Sequence, residues 1–275
     1  FFFRNFSCVM WIENIRSVDF ISYLNWYKII YHVSDLFVED EYSKNKDALQ
    51  RRDSFASEKS DLIICVSMEL YNLKKQKYNN VYYLPHGVDF DLFYEQGVLK
   101  QKHPLLANIS GPIIGYFGTL TAANDIELLK TCAKYYPEYT FVFAGRITGG
   151  DYSVLQKMTN VLFTGFIPYE EIPILCSSFD VCLLPWIMDQ WIEHCNPLKL
   201  FEYMACGKPV VSVPIREIVY NYSDIVSIAA TKEEFCRAIQ KELKNDTEER
   251  RIKRINTAKK NSWGKHIDII SNLID

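Results

Sequence analysis

Asn196-Pro197-Leu198-Lys199-Leu200-Phe201-Glu202-Tyr203-Met204-Ala205-Cys206-Gly207-Lys208-Pro209-Val210-Val211 reads as one helix followed by a strand. Asn is a favoured N-cap and Pro a favoured first helical residue, so a helix is predicted to start there and to run over 196–206. Gly207 stands where a left-handed residue closes a helix, and Pro209 follows the stop. The apolar run 209–213 then predicts a strand. Such a helix presents free backbone N–H groups at Leu198 and Lys199, and its dipole favours an anion. Lys199 adds a full positive charge, and Glu202, three residues on, shares its face. The cation and the N–H groups suit a diphosphate; the carboxylate suits the two hydroxyls of a ribose. An ordinary capped surface helix with a Lys–Glu pair would show the same residues, and such pairs are individually weak.

Upstream, apolar runs alternate with helical stretches. Ile113–Phe117, Thr140–Ala144, 160–164 and Val181–Leu184 are predicted strands, with 209–213 and a weaker 225–229 beyond them. Helical spacing covers 125–135, 168–177 and most of the chain after Lys232. This alternation predicts βαβ units and a mostly parallel sheet, which binds ligands at the carboxyl ends of its strands. Three of these strands run into Gly118, Gly145 and Gly165, where a close backbone approach is easy. The first part is less regular: 28–31 and 61–66 read as strands, 44–60 as a helix, and 81–89 as a crossing between halves.

Bulk composition narrows the classes. The 275 residues are 48% hydrophobic, enough for a sizeable core, and a formal charge of −3 gives no case for a nucleic-acid partner. None of the eight cysteines forms a C-x-x-C pair or sits beside a histidine cluster, so neither a zinc site nor a redox motif is predicted. Most lie in apolar runs, which fits a reducing compartment. No apolar run reaches the roughly 18 residues of a membrane span.

The opening stretch resembles the E-A-M-A-C-G-x-P-V-V signature of family-4-like (group 1) retaining glycosyltransferases. It resembles most the N-P-L-K-x-x-E-Y-x-A-x-G-K-P-V-V variant of bacterial surface-polysaccharide and teichuronic-acid-type enzymes. Other segments agree in order: Ser60-Asp61-Leu62-Ile63-Ile64-Cys65-Val66-Ser67, Leu84-Pro85-His86-Gly87-Val88-Asp89, Ile114-Gly115-Tyr116-Phe117-Gly118-Thr119-Leu120, Phe141-Val142-Phe143-Ala144-Gly145-Arg146, the 161–171 segment and Phe179-Asp180-Val181-Cys182-Leu183-Leu184-Pro185. The resemblance implies an α/β GT-B fold: a complete C-terminal Rossmann-like donor domain and a partial N-terminal Rossmann-like acceptor domain that lacks roughly its first half. The expected domains are 1–88 (acceptor side), 89–255 (nucleotide-sugar-binding) and a C-terminal helix, 256–275, packing back toward the N-terminal domain. Only two clear strands precede the 81–84 crossing, and Phe1, Phe2, Phe3 and Phe6 read as surface that a further segment would cover.

The resemblance also assigns residues. The family's E-x7-E motif holds ribose with its second Glu, which Glu202 matches. Its first Glu touches the donor sugar, and here that position is His194, with Glu193 beside it. Asn196, Pro197 and Leu198 form the helix start at the donor. Gly118 and Thr119 follow the first strand, where the family often has an Arg for phosphate. Lys199 is expected to take over part of that charge; Arg146 is a second candidate, or a solvated loop residue. Phe166 and Ile167 are expected to line the base pocket, with loop packing as the alternative. His32 and Asp35 are candidates for the acceptor-side catalytic groups, although a lone His at a strand end is more often structural; His86 is read as structural. The implied reaction moves a sugar from a nucleoside-diphosphate sugar to a glycan or lipid-linked acceptor, with retention and without cofactor or metal. The expected location is the cytoplasm, with peripheral attachment to the inner face of the membrane as a variant. A GT-B-fold sugar-nucleotide epimerase and a non-catalytic nucleotide-sugar-binding relative are the rival readings.

Overall fold

The computed structural model describes residues 8–37, 45–99 and 101–274. Phe1, Phe2, Phe3, Phe6 and the predicted helix start at Lys44 lie outside them. Two compact units follow from the contacts. The first comprises Phe1–His86, Asp189–Asn196 and His266–Asp275; the second comprises Gly87–Met188 and Pro197–Lys265.

The first unit holds four parallel strands, β1 (Val9–Ile12), β2 (Lys28–Val33), β3 (Leu62–Cys65) and β4 (Val81–Tyr83), in that spatial order. The sequence predicted two strands before the crossing; β1 escaped because its residues are all apolar and show no alternation in the sequence. Its alternating burial, with Met10 and Ile12 inside and Val9 and Trp11 half out, is that of a strand covered on one face. β3 is buried along its whole length, as a central parallel strand is when both faces are covered. One face carries Tyr31, Val33, Ile63 and Cys65. The other carries Ile30, Leu62, Ile64 and Leu84, and receives Ile270, Leu273 and Ile274 of the last helix.

The second unit is a six-stranded parallel sheet of β5 (Ile113–Phe117), β6 (Thr140–Ala144), β7 (Val161–Gly165), β8 (Val181–Leu184), β9 (Val210–Ser212) and β10 (Ser227–Ile228). Its order is β10-β9-β8-β5-β6-β7. From β5 the chain winds outward through β6 and β7, then returns to β8 on the other side of β5. The order therefore reverses between β5 and β8. Helices leave such a point in opposite directions, so a crevice opens beyond the carboxyl ends of these two strands.

The Leu198–Ala205 helix is fixed at its far end. Gly207, at a φ of +71°, closes it, with Gly207 N–H donating to Met204 O and Lys208 N–H to Tyr203 O, the paired bonds of a Schellman stop. The fully buried Arg254, from the Glu248–Lys260 helix, donates to Gly207 O at 3.0 Å and pairs with both oxygens of Asp246. Leu200, Phe201, Tyr203 and Met204 are buried. The predicted single C-terminal helix is two, Glu248–Lys260 and Trp263–Ile274. The chain breaks between them because Asn261 O accepts from Val88 N–H and Trp263 N–H donates to Val88 O, a short parallel bridge that helical backbone cannot make.

Three histidines of the first unit titrate against the fold. Burial depresses all of them, His86 and His266 to about 4, and His32 and His266 repel any charge on His86. A base whose folded pKa lies below its unfolded one stabilises the fold above the unfolded value and loses that contribution as pH falls toward the folded one. Burial raises Asp35 to about 6, and this acts in the opposite sense over the same window, but one carboxyl is outweighed by the imidazoles. Hydrogen-exchange protection of β2–β4, corrected for intrinsic rates, is expected to fall by about tenfold or more between pH 7 and pH 4.5. His86→Gln should flatten the slope; unchanged protection in the parent protein would refute it.

Candidate functional site

The loops that follow β5 and β6, together with Lys199 and Glu202, converge at the carboxyl end of the second sheet. The loop after β5 and the loop after β6 run side by side: Gly118 N–H donates to Ala144 O, Leu120 N–H to Arg146 O and Thr148 N–H to Leu120 O. A Cβ on Gly145 would run into the Gly118 carbonyl oxygen, and Gly118 and Gly145 both hold positive φ, +119° and +151°. Only glycine tolerates that contact and those angles.

Gly118 also makes room for Lys199. A Cβ there would lie 2.5 Å from Lys199 Cε and 3.0 Å from Nζ, so the lysine stem lies across the bare face of the glycine. The ammonium sits 5.4 Å from the ring centroid of Tyr116, in β5, and 5.4 Å from that of Trp186, just after β8. Lys199 and Glu202 share a helix face as expected, but they are not an ordinary surface ion pair. Among the described residues no carboxylate lies within ion-pair distance of Lys199.

Glu202 instead lines a cavity of about 500 Å³ together with Gly118, Thr119, Arg146, Phe166 and Ile167. Phe117, Ala144, Gly145, Thr148, Tyr169 and Ile172 complete the wall. Burial pushes the Glu202 carboxyl up to about 7, and the nearby Lys199 only partly offsets it. The Tyr169 phenol goes up to about 12 through burial, with the Glu202 and Asp89 charges adding to it. At the cavity mouth the Arg146 guanidinium stacks 4.5 Å from the centroid of the Phe166 ring, which is 60% exposed. Ile167 beside it is buried.

The helix start differs from the sequence reading. The helix begins at Leu198 with Pro197 in the cap position, and no side chain caps it. Asn196 is drawn away because its amide donates to Val66 O at 2.6 Å, in the first unit. The first-turn N–H groups of Leu198 and Lys199 thus keep no side-chain partner, and Leu198 is about half exposed. His194 places Nδ1 2.8 Å from Gln190 O, while its own carbonyl accepts from Ser67 Oγ at 2.6 Å.

His32 and Asp35 lie at the carboxyl end of β2 in the first unit. His32 packs against Trp11, with ring centroids 5.3 Å apart, and its Nδ1 is 3.8 Å from Glu13. Burial lowers its pKa, so it is a neutral imidazole at pH 7. Burial and the Glu13 charge raise Asp35, with a Ser34 hydrogen bond opposing them. Tyr116, Thr148, Tyr169, Ile172 and Trp186 received no role from the sequence. Trp186 had a legible signal: it follows Pro185 at the carboxyl end of a predicted parallel strand, where such sheets bind ligands. Among the described residues no group of three or more His, Cys, Asp or Glu could hold a metal ion, and no helix is long and apolar enough to cross a membrane.

Known proteins resemble this chain on both counts, sequence and fold. Residues 111–245 match the family profile "Glycosyl transferases group 1". The chain is 25% identical over 236 residues to the Bacillus subtilis (strain 168) protein named "Putative teichuronic acid biosynthesis glycosyltransferase TuaH". That match takes in 78% of this chain, which spans only 59% of the relative's length. Among solved structures, Anabaena Alr3699/HepE in complex with UDP and glucose superposes with a TM-score of 0.70 at 17% identity, over 96% of this chain and 77% of that one. Sucrose-phosphate synthase from Thermosynechococcus elongatus gives 0.77 at 17% identity, over 96% and 72%. An E. coli trehalose-6-phosphate protein bound with UDP-2-fluoro glucose gives 0.73 at 13%, over 97% and 73%. These matches show that residues 111–245 are a glycosyl transferases group 1 domain, in a chain with the GT-B fold.

Proposed function

We propose that the protein is a glycosyltransferase that moves a sugar from a nucleoside-diphosphate sugar to an acceptor hydroxyl in cell-surface polysaccharide synthesis. The observation that carries this is the Lys199 ammonium, without a carboxylate partner, at the β5/β8 reversal and three residues from Glu202. The diphosphate lies against Lys199 and the first-turn N–H groups. Glu202 accepts the ribose hydroxyls, and the base stacks on the Phe166–Arg146 shelf above Ile167. The structural relatives that hold UDP or a UDP-sugar make UDP the first nucleotide to test.

As the bond from the anomeric carbon to the diphosphate breaks, its electron pair leaves with the phosphate oxygen. Lys199 and the helix N-terminus stabilise that growing charge as fixed groups needing no reorganisation. They supply the positive charge that a divalent ion would otherwise bring, so transfer is proposed to be metal-independent. The acceptor oxygen forms the new bond and releases its proton. Asp35, raised toward neutrality, and His32 are the acceptor-side groups proposed to handle it. Retention at the anomeric carbon follows from the family resemblance. One feature favours a second reading, a nucleotide-sugar binder without turnover: His194 stands at the family's sugar-contacting carboxylate.

Lys199→Ala and Glu202→Ala are each expected to weaken UDP-glucose binding by roughly ten- to a hundredfold in calorimetry while the melting temperature holds, as loss of a charge-assisted contact implies. Unchanged affinity in both would remove the site assignment. UDP-glucose affinity should also rise from pH 6 to pH 8. The diphosphate diester does not titrate there, whereas Glu202, with a pKa of about 7, ionises and becomes the better acceptor for ribose. Glu202→Gln should abolish that dependence, and a slope that survives in this variant would assign it to another group. Incubation with labelled UDP-sugars and surface-glycan acceptors is expected to yield product that persists in EDTA and keeps the donor's anomeric configuration by NMR. Inverted product would rule out the retaining mechanism, and binding without product would favour the binder.

A further inference from the structure

Lys199 is held in an unusual way for a surface-side cation. Its ammonium is equidistant from two aromatic rings, and its stem lies on Gly118. Both rings are themselves fixed. Tyr116 is 1% exposed within β5, and its hydroxyl donates to Thr119 O at 3.3 Å. Trp186 is locked by an antiparallel bridge to Asn124, flanked by Asp125 N–H donating to Pro185 O and Ile187 N–H donating to Ala123 O. Asn124 is buried in turn, its Oδ1 accepting from Thr121 N–H at 2.9 Å and from the Tyr152 hydroxyl at 3.0 Å.

Resting on the donor-site reading above, we propose that Trp186 and Tyr116 form an aromatic cage that positions the Lys199 charge for the diphosphate. A carboxylate could also hold an ammonium in place, but it would cancel the charge and compete with the incoming anion. The face of an aromatic ring attracts the cation through its quadrupole and leaves the positive charge available. A lysine has a long flexible stem whose freedom is lost when it binds. Holding that stem beforehand removes part of the ordering cost from the binding step. Trp186 and Tyr116 are thus positioning residues, acting through Lys199, and neither needs to touch the ligand. The cage also gives Gly118 a second role, since any side chain there would push the lysine off the rings.

The test uses UDP and GDP, each with its nucleoside, and proceeds with the nucleotide that binds more tightly. Affinities of the parent protein, Trp186→Leu, Trp186→Phe, Lys199→Met and Trp186→Leu/Lys199→Met are compared by calorimetry, and nucleoside binding by ligand-observed NMR. Trp186→Leu is expected to cost about three- to tenfold in diphosphate affinity, in keeping with a cation–π contact. It should leave nucleoside binding unchanged, cost nothing further once Lys199 is Met, and be largely rescued in Trp186→Phe. Equal losses for nucleoside and diphosphate, or the same loss in the Lys199→Met background, would make Trp186 a merely structural residue and overturn the cage. So would full affinity in Trp186→Leu where Lys199→Met is impaired, with the donor site left standing. Absence of binding by either nucleotide to the parent protein would instead overturn the donor-site reading and the cage with it.

Discussion

The second unit is organised around one constraint: a positive charge must be kept unneutralised at the point where the sheet changes direction. Between β5 and β8 the order reverses, and the chain departs to either side. That leaves a crevice whose floor is backbone. A lysine enters it from the first turn of the next helix but one, and two glycines on adjacent loops let the backbones and the lysine stem approach. Fully burying an unpaired ammonium would be prohibitive. The site avoids that cost by leaving Lys199 half-buried, with aromatic faces on two sides instead of a carboxylate.

The rest of the unit keeps that helix from moving. Its C-terminal end is closed by Gly207 and clamped by Arg254, whose buried guanidinium is neutralised by Asp246. A buried charge left without its partner is strongly destabilising, so Arg254 and Asp246 can only be exchanged together. The opposite end is left open. With Pro197 at the cap position and no side chain bonded to the first turn, the N–H groups there remain for a ligand. The helix is thus anchored where it meets the core and uncapped at its first turn, where the Lys199 stem lies against Gly118.

Much of this was legible in the sequence, and the parts that were not have physical reasons. β5 to β8 of the second sheet are four- or five-residue apolar runs, three of them running into Gly, a pattern strong enough to predict these strands and the parallel class. The Lys199–Glu202 spacing and the Gly207 stop could be read directly, because capping and helical periodicity are local. The start was misread for the opposite reason: Asn196 has good local chemistry for a cap, but its amide is taken by Val66, 130 residues earlier in sequence. β1 was missed because Val9–Ile12 is apolar throughout and shows no alternation from which a half-covered edge strand could be read. The break at Asn261 was missed because it depends on pairing with Val88. Tyr116 lay within a predicted strand and Trp186 just beyond another, but that both rings face one ammonium is a property of the fold.

Glu202 and Lys199 illustrate how little spacing alone decides. Three residues apart on a helix, a lysine and a glutamate ordinarily pair in solvent, and the contact is weak. Here the two side chains diverge, the lysine toward Gly118 and the rings, the glutamate into the cavity beside Thr119 and Tyr169. Had they paired, the lysine would have pulled the carboxyl down further. Instead burial outweighs the lysine and lifts Glu202 to about 7. A carboxyl at that value exchanges its proton near neutral pH, and donors that favour its charged form lower its pKa on binding. Ribose hydroxyls are such donors. On the donor-site proposal, the separation of the pair therefore does two things at once: it leaves a cation for the phosphates and a carboxyl whose ionisation is coupled to filling the cavity.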